Sequence, residues 1–202
     1  MTDARTTLET PSLDAFSVNL QSIRLTEEQF FRVCEDNPEL RLELTARGEL
    51  IVMSPTGSKT GLRNGRLYSQ LAEWASRDGQ GVTFDSSTGF SLPNGAKRSP
   101  DASWLRKERW DALSVEEQEG FAPLCPDFVA ELRSPRDSVE ALVRKMTEYI
   151  ENGASLGWLV DPIERRVHVF RPGRPVECLE NSQSVDGGAV LPAFVLDLTE
   201  IW

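Results

Sequence analysis

Histidine and cysteine are scarce in this chain. There is one histidine, His168, and the three cysteines, Cys34, Cys125 and Cys178, are odd in number and far apart. That argues against a Cys/His zinc centre and against a disulfide framework. No run of about 18 apolar residues occurs, so no helix is expected to span a membrane. The N-terminal "MTDARTTLETPSLDAFSVN" is polar and lacks an apolar signal core, and a reducing cytoplasm is the expected compartment. Basic charge is also short. Lysine and arginine number 22 against 32 acids, a net charge of −10, whereas phosphate contacts favour a basic surface.

What is present is an ordinary globular composition, 39% apolar and 27% charged, which places the chain among soluble folded proteins. Its 202 residues suffice for one domain with a sizeable core. Residues 1–24 lack periodicity and read as a flexible arm; residues 25–202 read as a single domain. The charge is uneven. "KRSPDASWLRKER" (97–109) holds five basic residues against two acidic, and "RSPRDSVEALVRK" (133–145) four against two. Between them, residues 111–131 carry six acids and no base. Such blocks are usually solvated helix faces, but these two basic stretches flank the carboxylates considered below.

Periodicity gives the elements. "LTEEQFFRVCEDNP" reads as a short helix with a Thr26/Gln29 capping box, ended by Pro38. "ELRLELTARGELIVMSP" alternates on both sides of a turn at Ala46–Gly48, a hairpin pattern. A helix from about Gly61 to Arg77 follows, with Leu62, Leu67, Leu71 and Trp74 as its apolar stripe. "GVTFDSSTGFSLPNG" suggests two short strands and "RSPDASWL" another. "FVAEL", a helix from about Ser138 to Glu151 and "SLGWLVD" form a βαβ-like crossover; "RVHVFRPG" and weaker strands near "VECLE" and "AVLPAFVLDL" close the chain. The expected class is α/β or α+β, a mixed sheet flanked by helices with an N-terminal hairpin.

"SPTGSKTG" (54–61) imitates a phosphate-binding loop but fails its spacing. Ser58 stands where glycine should precede Lys59, and Met53 occupies the earlier glycine position. A turn entering a helix is the better reading.

The chemistry concentrates on "CPDFVAELRSP". With a period of two, Asp127, Val129, Glu131 and Arg133 share one face of this strand. A carboxylate inside a covered sheet needs a partner, a hydrogen-bond network or a metal. The plain option is pairing of Glu131 with an arginine. A second acid, Asp101 of "SPDASW", would converge on Glu131 if the two strands are neighbours, and two carboxylates with a backbone carbonyl suit Mg²⁺. On the following helix Val139, Leu142, Val143, Met146 and Ile150 form the apolar arc. Asp137 and Glu140 mark its start, and Lys145 and Tyr149 flank the arc. Arg144, Glu140, Glu148 and Glu151 point to solvent. A flanking lysine ordinarily snorkels to the surface. Lys145 follows the Glu131 strand so closely that its ammonium could instead approach both acids. Two acids holding a metal beside one lysine is a nuclease-like constellation.

In "LRLELTARGELIVMSPTG", "DSSTGFSLPNGAKRSPDASW", "CPDFVAELRSP", "RKMTEYIENGASLGWLVDP" and "LPAFVLDLTEIW", the chain resembles the Uma-type restriction endonuclease family of the PD-(D/E)xK superfamily. The likeness runs from about residue 25 to 202. It implies Asp101 and Glu131 as catalytic metal ligands and Glu43 as a further acid near the metal, against the alternative of an exposed strand residue. It also implies Mg²⁺, or Mn²⁺ in its place. The superfamily's lysine would fall at Arg133, which cannot act as a base; Lys145 is the implied catalytic substitute, leaving Arg133 to contact substrate phosphate. The chain has Lys59 and Thr60 where many members carry a histidine. The expected function is a metal-dependent endonuclease acting on DNA, as a homodimer. The alternatives are a silent nuclease-fold module binding nucleic acid or protein, and acids that merely pair with arginines in the sheet.

Overall fold

The computed structural model describes residues 15–202. It opens with strand β1 (Ala15–Asn19), helix α1 (Glu27–Asp36) and the hairpin β2 (Arg41–Leu44) and β3 (Glu49–Met53). The capping box at α1 is formed: the Thr26 hydroxyl accepts from the Gln29 amide while the Thr26 amide donates to the Gln29 side chain. The hairpin turns through Gly48, whose φ of +80° suits glycine alone without strain. β1 corrects the expected arm. It pairs antiparallel with β3 along its whole length, while residues 1–14 of the arm lie outside the described residues. Phe16 and Val18 remain exposed. Backbone bonds rather than burial hold this edge strand, so it leaves no periodic signature.

Helix α2 (Ser58–Asp78) starts three residues ahead of the expected Gly61 and buries Thr60, Leu67, Leu71, Trp74 and Ala75. Leu62 is 61% exposed and not part of the stripe. At 3.6 residues per turn it lies about 140° round the helix from Leu67. Next come β4 (Gly81–Asp85), β5 (Phe90–Ser91), β6 (Lys97–Arg98) and β7 (Ala102–Arg106). The segment expected to be one strand, "RSPDASWL", is divided. β6 belongs to a five-stranded sheet ordered β1-β3-β2-β6-β5; β7 belongs to a second sheet. Pro100, with no N–H for a ladder, stands between them, so Asp101 sits where the chain crosses from one sheet to the other.

Two short helices, α3 (Lys107–Asp111) and α4 (Val115–Glu119), lead to β8 (Phe128–Leu132), α5 (Val139–Glu151) and β9 (Leu156–Asp161). β10 (Arg166–Phe170), β11 (Glu177–Glu180), β12 (Ser184–Asp186) and β13 (Val195–Asp197) complete the chain. The second sheet runs β11-β10-β9-β8-β7-β4. β8 and β9 are parallel and joined by α5, as the crossover reading expected. β12, unanticipated, has one buried residue, Val185, too little to make a pattern. Among the described residues no helix is long and apolar enough to cross a membrane.

The central strand separates two cores. Phe128, Ala130 and Leu132 pack with α2 through Leu67, Leu71 and Trp74, and with Phe194, Leu196 and Ile201 of the C-terminal segment. Val129 faces the other way, onto Met146 and Tyr149 of α5 and onto Phe90. The sheet is therefore covered on both faces, and Glu131, two residues after Val129, points to the α5 side.

Candidate active site

β7 and β8 are antiparallel neighbours with Ala102 opposite Ala130. One further step of that register sets Asp101 opposite Glu131, with both side chains on one face. The ladder stops there, and the Asp101 carboxylate continues it. Its Oδ2 accepts from the Leu132 amide at 2.8 Å, and its Oδ1 from Asn64 Nδ2 at 3.1 Å. Glu131 is 5% exposed. Its Oε1 accepts from the Tyr149 hydroxyl at 3.1 Å and from Lys145 Nζ at 2.7 Å.

Lys145 does not snorkel. Its ammonium bridges two buried acids, lying 2.8 Å from Glu43 Oε1 as well. Glu43, left open between a metal-side acid and an exposed strand residue, is 2% exposed. It also accepts from Arg98 Nη1 and from the Ser99 amide, each at 2.9 Å. Arg98 reaches on to Glu148, Nε to Oε2 at 2.6 Å; Glu148 thus faces inward, against the expectation of a solvent residue. The start of α5 also differs. Ser138 caps it by accepting from the Ala141 amide, and Asp137 instead accepts from the Ser134 amide.

The charges are strongly conditioned by burial. Burial pushes the Glu131 carboxyl up to about 7; Lys145 opposes the rise, while the charges of Asp101 and Glu43 add to it. Burial also raises Asp101, despite the Leu132 amide. For Glu43 burial acts upward, but Lys145 and Arg98 outweigh it and hold the carboxyl below its usual range. Burial alone would lower Lys145; Glu131 and Glu43 reverse that and hold it above the ordinary lysine value. Lys145 is therefore a fixed cation and a donor rather than a base.

Arg133 is not brought to these acids. Its Nη1 donates to Asp161 Oδ2 at 2.7 Å. Asp127, at the other end of β8, takes the Arg106 amide and the Arg109 guanidinium. Residues not read from the sequence complete the arrangement: Arg98, Asn64 and Glu148. For Asn64 a signal existed. Thr60 and Asn64 share the α2 face of Leu67 and Leu71, so the stripe turns polar over Asp101.

Asp101, Glu131 and Lys145 open into a cleft of ≈ 560 Å³, bounded by the β3–α2 loop, the first turns of α2 and the segment after β8. Among the described residues its charged lining counts four basic residues, Arg41, Lys59, Arg136 and Lys145, against three acids, Asp101, Glu131 and Asp137, in a chain with net charge −10. Among the described residues no three His, Cys, Asp or Glu side chains group around a metal position. A hard cation of the Mg²⁺ kind needs fewer, since one or two carboxylates and retained waters suffice. Asp101 and Glu131 fit that donor set. Their carboxyls are opposed and both raised by burial, Glu131 also by the charge of Asp101, and among the described residues Asn64 Oδ1, buried beside Asp101, has no hydrogen-bond partner.

Comparison with known proteins agrees with this architecture. The chain is similar, at 20% identity and a TM-score of 0.71, to a protein from Anabaena variabilis whose crystal structure is described as that of "a putative nuclease belonging to DUF820"; the match covers 88% of this chain and 97% of the other. At that identity the likeness speaks for the fold, a nuclease-type mixed sheet flanked by helices. No curated protein matches the chain. The family described as "Uma2: Putative restriction endonuclease" matches over residues 27–199, which takes in β2, the Asp101 crossing, β8 and α5 alike, and the chain belongs to that family.

Proposed function

We propose that this chain is a metal-dependent endonuclease that hydrolyses phosphodiester bonds of DNA. The observation that carries the reading is Asp101 set opposite Glu131 at the floor of an open cleft, with the Lys145 ammonium bonded to Glu131. Asp101 and Glu131 would hold the cation, Mg²⁺ or Mn²⁺. Once bound, it would neutralise phosphate charge and lower the pKa of a coordinated water. The other roles belong to the chain itself. Lys145, charged at any working pH, donates to the attacking water or to a non-bridging phosphate oxygen, where charge grows in the transition state. Glu43 and Arg98 fix that ammonium from behind, and Asn64 and the Leu132 amide fix Asp101. Hydrolysis forms one P–O bond to water and breaks the bridging P–O bond, whose leaving oxygen takes up a proton. Arg133, tied to Asp161, supports β8 rather than the phosphate.

A cytoplasmic two-fold homodimer is proposed with this activity, because two related sites cut both strands of a duplex most simply. The test incubates supercoiled plasmid with the wild type and Asp101→Asn in Mg²⁺, Mn²⁺ or EDTA. Nicked or linear DNA is expected with the wild type and a divalent cation only. Absence of cleavage of duplex and single-stranded DNA with both metals would sink the reading, and light scattering decides the dimer.

A further inference from the structure

The stretch "SPTGSKTG" fails as a nucleotide-binding loop, yet the fold carries it to the same cleft. Residues 54–57, Lys59 and Thr60 form one of its walls. There α2, 21 residues long, begins at Gly57, which offers no side-chain cap, and the first turn holds no acid. The amides of that turn lack a capping side chain, and the positive end of a long helix dipole lies at the cleft. Thr60 supplies a second observation. It is 7% exposed, lines the cleft and has no hydrogen-bond partner for its hydroxyl among the described residues. The side chain is held in the wall by burial, while its hydroxyl keeps access to the cleft and is free to meet a ligand there. Lys59 is exposed on the same wall and has no carboxylate partner among the described residues.

We propose that this wall binds a backbone phosphate of the nucleic-acid strand, next to the phosphate that is hydrolysed. The first amides of α2, the Thr60 hydroxyl and the Lys59 ammonium hold it. The proposal rests on the nuclease reading above. Thr60 stands one turn before Asn64, the residue bonded to Asp101, about 6 Å along the helix axis. The phosphate held there is therefore a neighbour of the one at the acids. A site built from amides, a hydroxyl and an ammonium reads no base. It contributes affinity and strand register and leaves sequence preference to other surfaces. It also explains how a chain of net charge −10 engages a polyanion, through a local field at one wall rather than through its overall charge.

The test measures binding of a fluorescein-labelled DNA duplex by anisotropy in EDTA, so that binding is read apart from cleavage. Lys59→Ala is expected to weaken binding roughly threefold to tenfold and to reduce the slope of log K against log salt by about one. Thr60→Val, which keeps the side-chain shape, weakens binding by a similar factor with the slope unchanged, since it removes no charge. Lys107→Ala, on α3 beyond the far end of β7, changes neither. Equal affinity and equal slope in the wild type and both cleft variants would overturn the subsite, as would absence of any binding by the wild type. Lys59-dependent binding without cleavage in any metal would strike the nuclease reading and leave the subsite standing.

Discussion

Replacing Lys145 by methionine keeps the aliphatic stem and removes only the ammonium. That ammonium lies 2.7 Å from Glu131 and 2.8 Å from Glu43, both buried. Removing one partner of a buried ion pair costs about 3–5 kcal/mol, because the other charge is left uncompensated. The cost falls unequally. Glu43 keeps Arg98, whereas among the described residues Glu131 keeps only the Tyr149 hydroxyl. Glu131 escapes by taking up a proton. Its carboxyl stands at about 7 with Lys145 in place, and loss of the cation moves it further up.

In the unfolded chain a glutamate titrates near 4.3 (roughly). Between the two values the folded state holds a proton that the unfolded state has lost, so stability falls as pH rises through that window. The lysine adds no pH dependence of its own there. Its pKa is raised by folding, so its contribution is complete below about 10.4 and is lost only above that. The variant should therefore lose about 3–5 kcal/mol at about pH 8.5 and on the order of half that at about pH 5.5. For a chain of this size the alkaline loss corresponds to a fall in Tm of roughly 10 °C. Calorimetry of both proteins in EDTA at the two pH values reads this directly. Equal losses at both, or an alkaline loss under about 2 °C, would refute the claim that Lys145 neutralises Glu131.

Asp101→Asn and Glu131→Gln should each weaken Mn²⁺ binding more than about tenfold by calorimetry, while Lys145→Met retains it once the pH is high enough for its further-raised Glu131 carboxyl to have shed its proton. Because Glu131 must shed a proton near neutrality to act as a ligand, wild-type Mn²⁺ affinity should rise between about pH 6 and about pH 8, and that rise should flatten in Glu131→Gln. Asn64→Ala should lower Mn²⁺ affinity about threefold through a looser Asp101, with Tm moving by less than about 2 °C; unchanged affinity would reduce Asn64 to packing. Gly81→Ala places a Cβ 2.3 Å from the Trp104 indole and 2.5 Å from the Leu105 carbonyl, an overpacking expected to cost about 1–3 kcal/mol in urea unfolding.

Local rules carried the reading of Thr26, of the βαβ crossover and of the face that Glu131 takes, because each depends on neighbours in sequence. Partners distant in the chain were not legible. Alternation put Arg133 on the Glu131 face, but it cannot name the adjacent strand. β9 lies parallel to β8 with Leu132 opposite Val160, so the next step presents Asp161 to Arg133. Arg98 and Glu148 are 50 positions apart and meet only because α5 folds back over β6. Leu62 misled by being apolar near a real stripe, whereas the polar Thr60 was the residue actually facing inward. Such inversions are expected where a cleft interrupts a core, since there the buried face must carry polar groups.

The acids stand at a seam, and that placement explains why the lysine comes from a helix. Glu43 belongs to β2 in one sheet, Glu131 to β8 in the other, and Asp101 to the crossing between them. A cation two residues beyond Glu131 on the same strand is carried toward β9, as Arg133 is toward Asp161. A cation on α5 lies over the β8 face and reaches both sheets at once, as Lys145 does. The same ammonium that would act on a phosphate thus also closes the seam. Three carboxyls crowded around one lysine are costly to hold in a folded chain. Their cost is offset only partly by Lys145 and Arg98, which leaves Glu131 near neutrality while Glu43 stays ionised. That residual, unrelieved charge demand at Asp101 and Glu131 is what a divalent cation would satisfy.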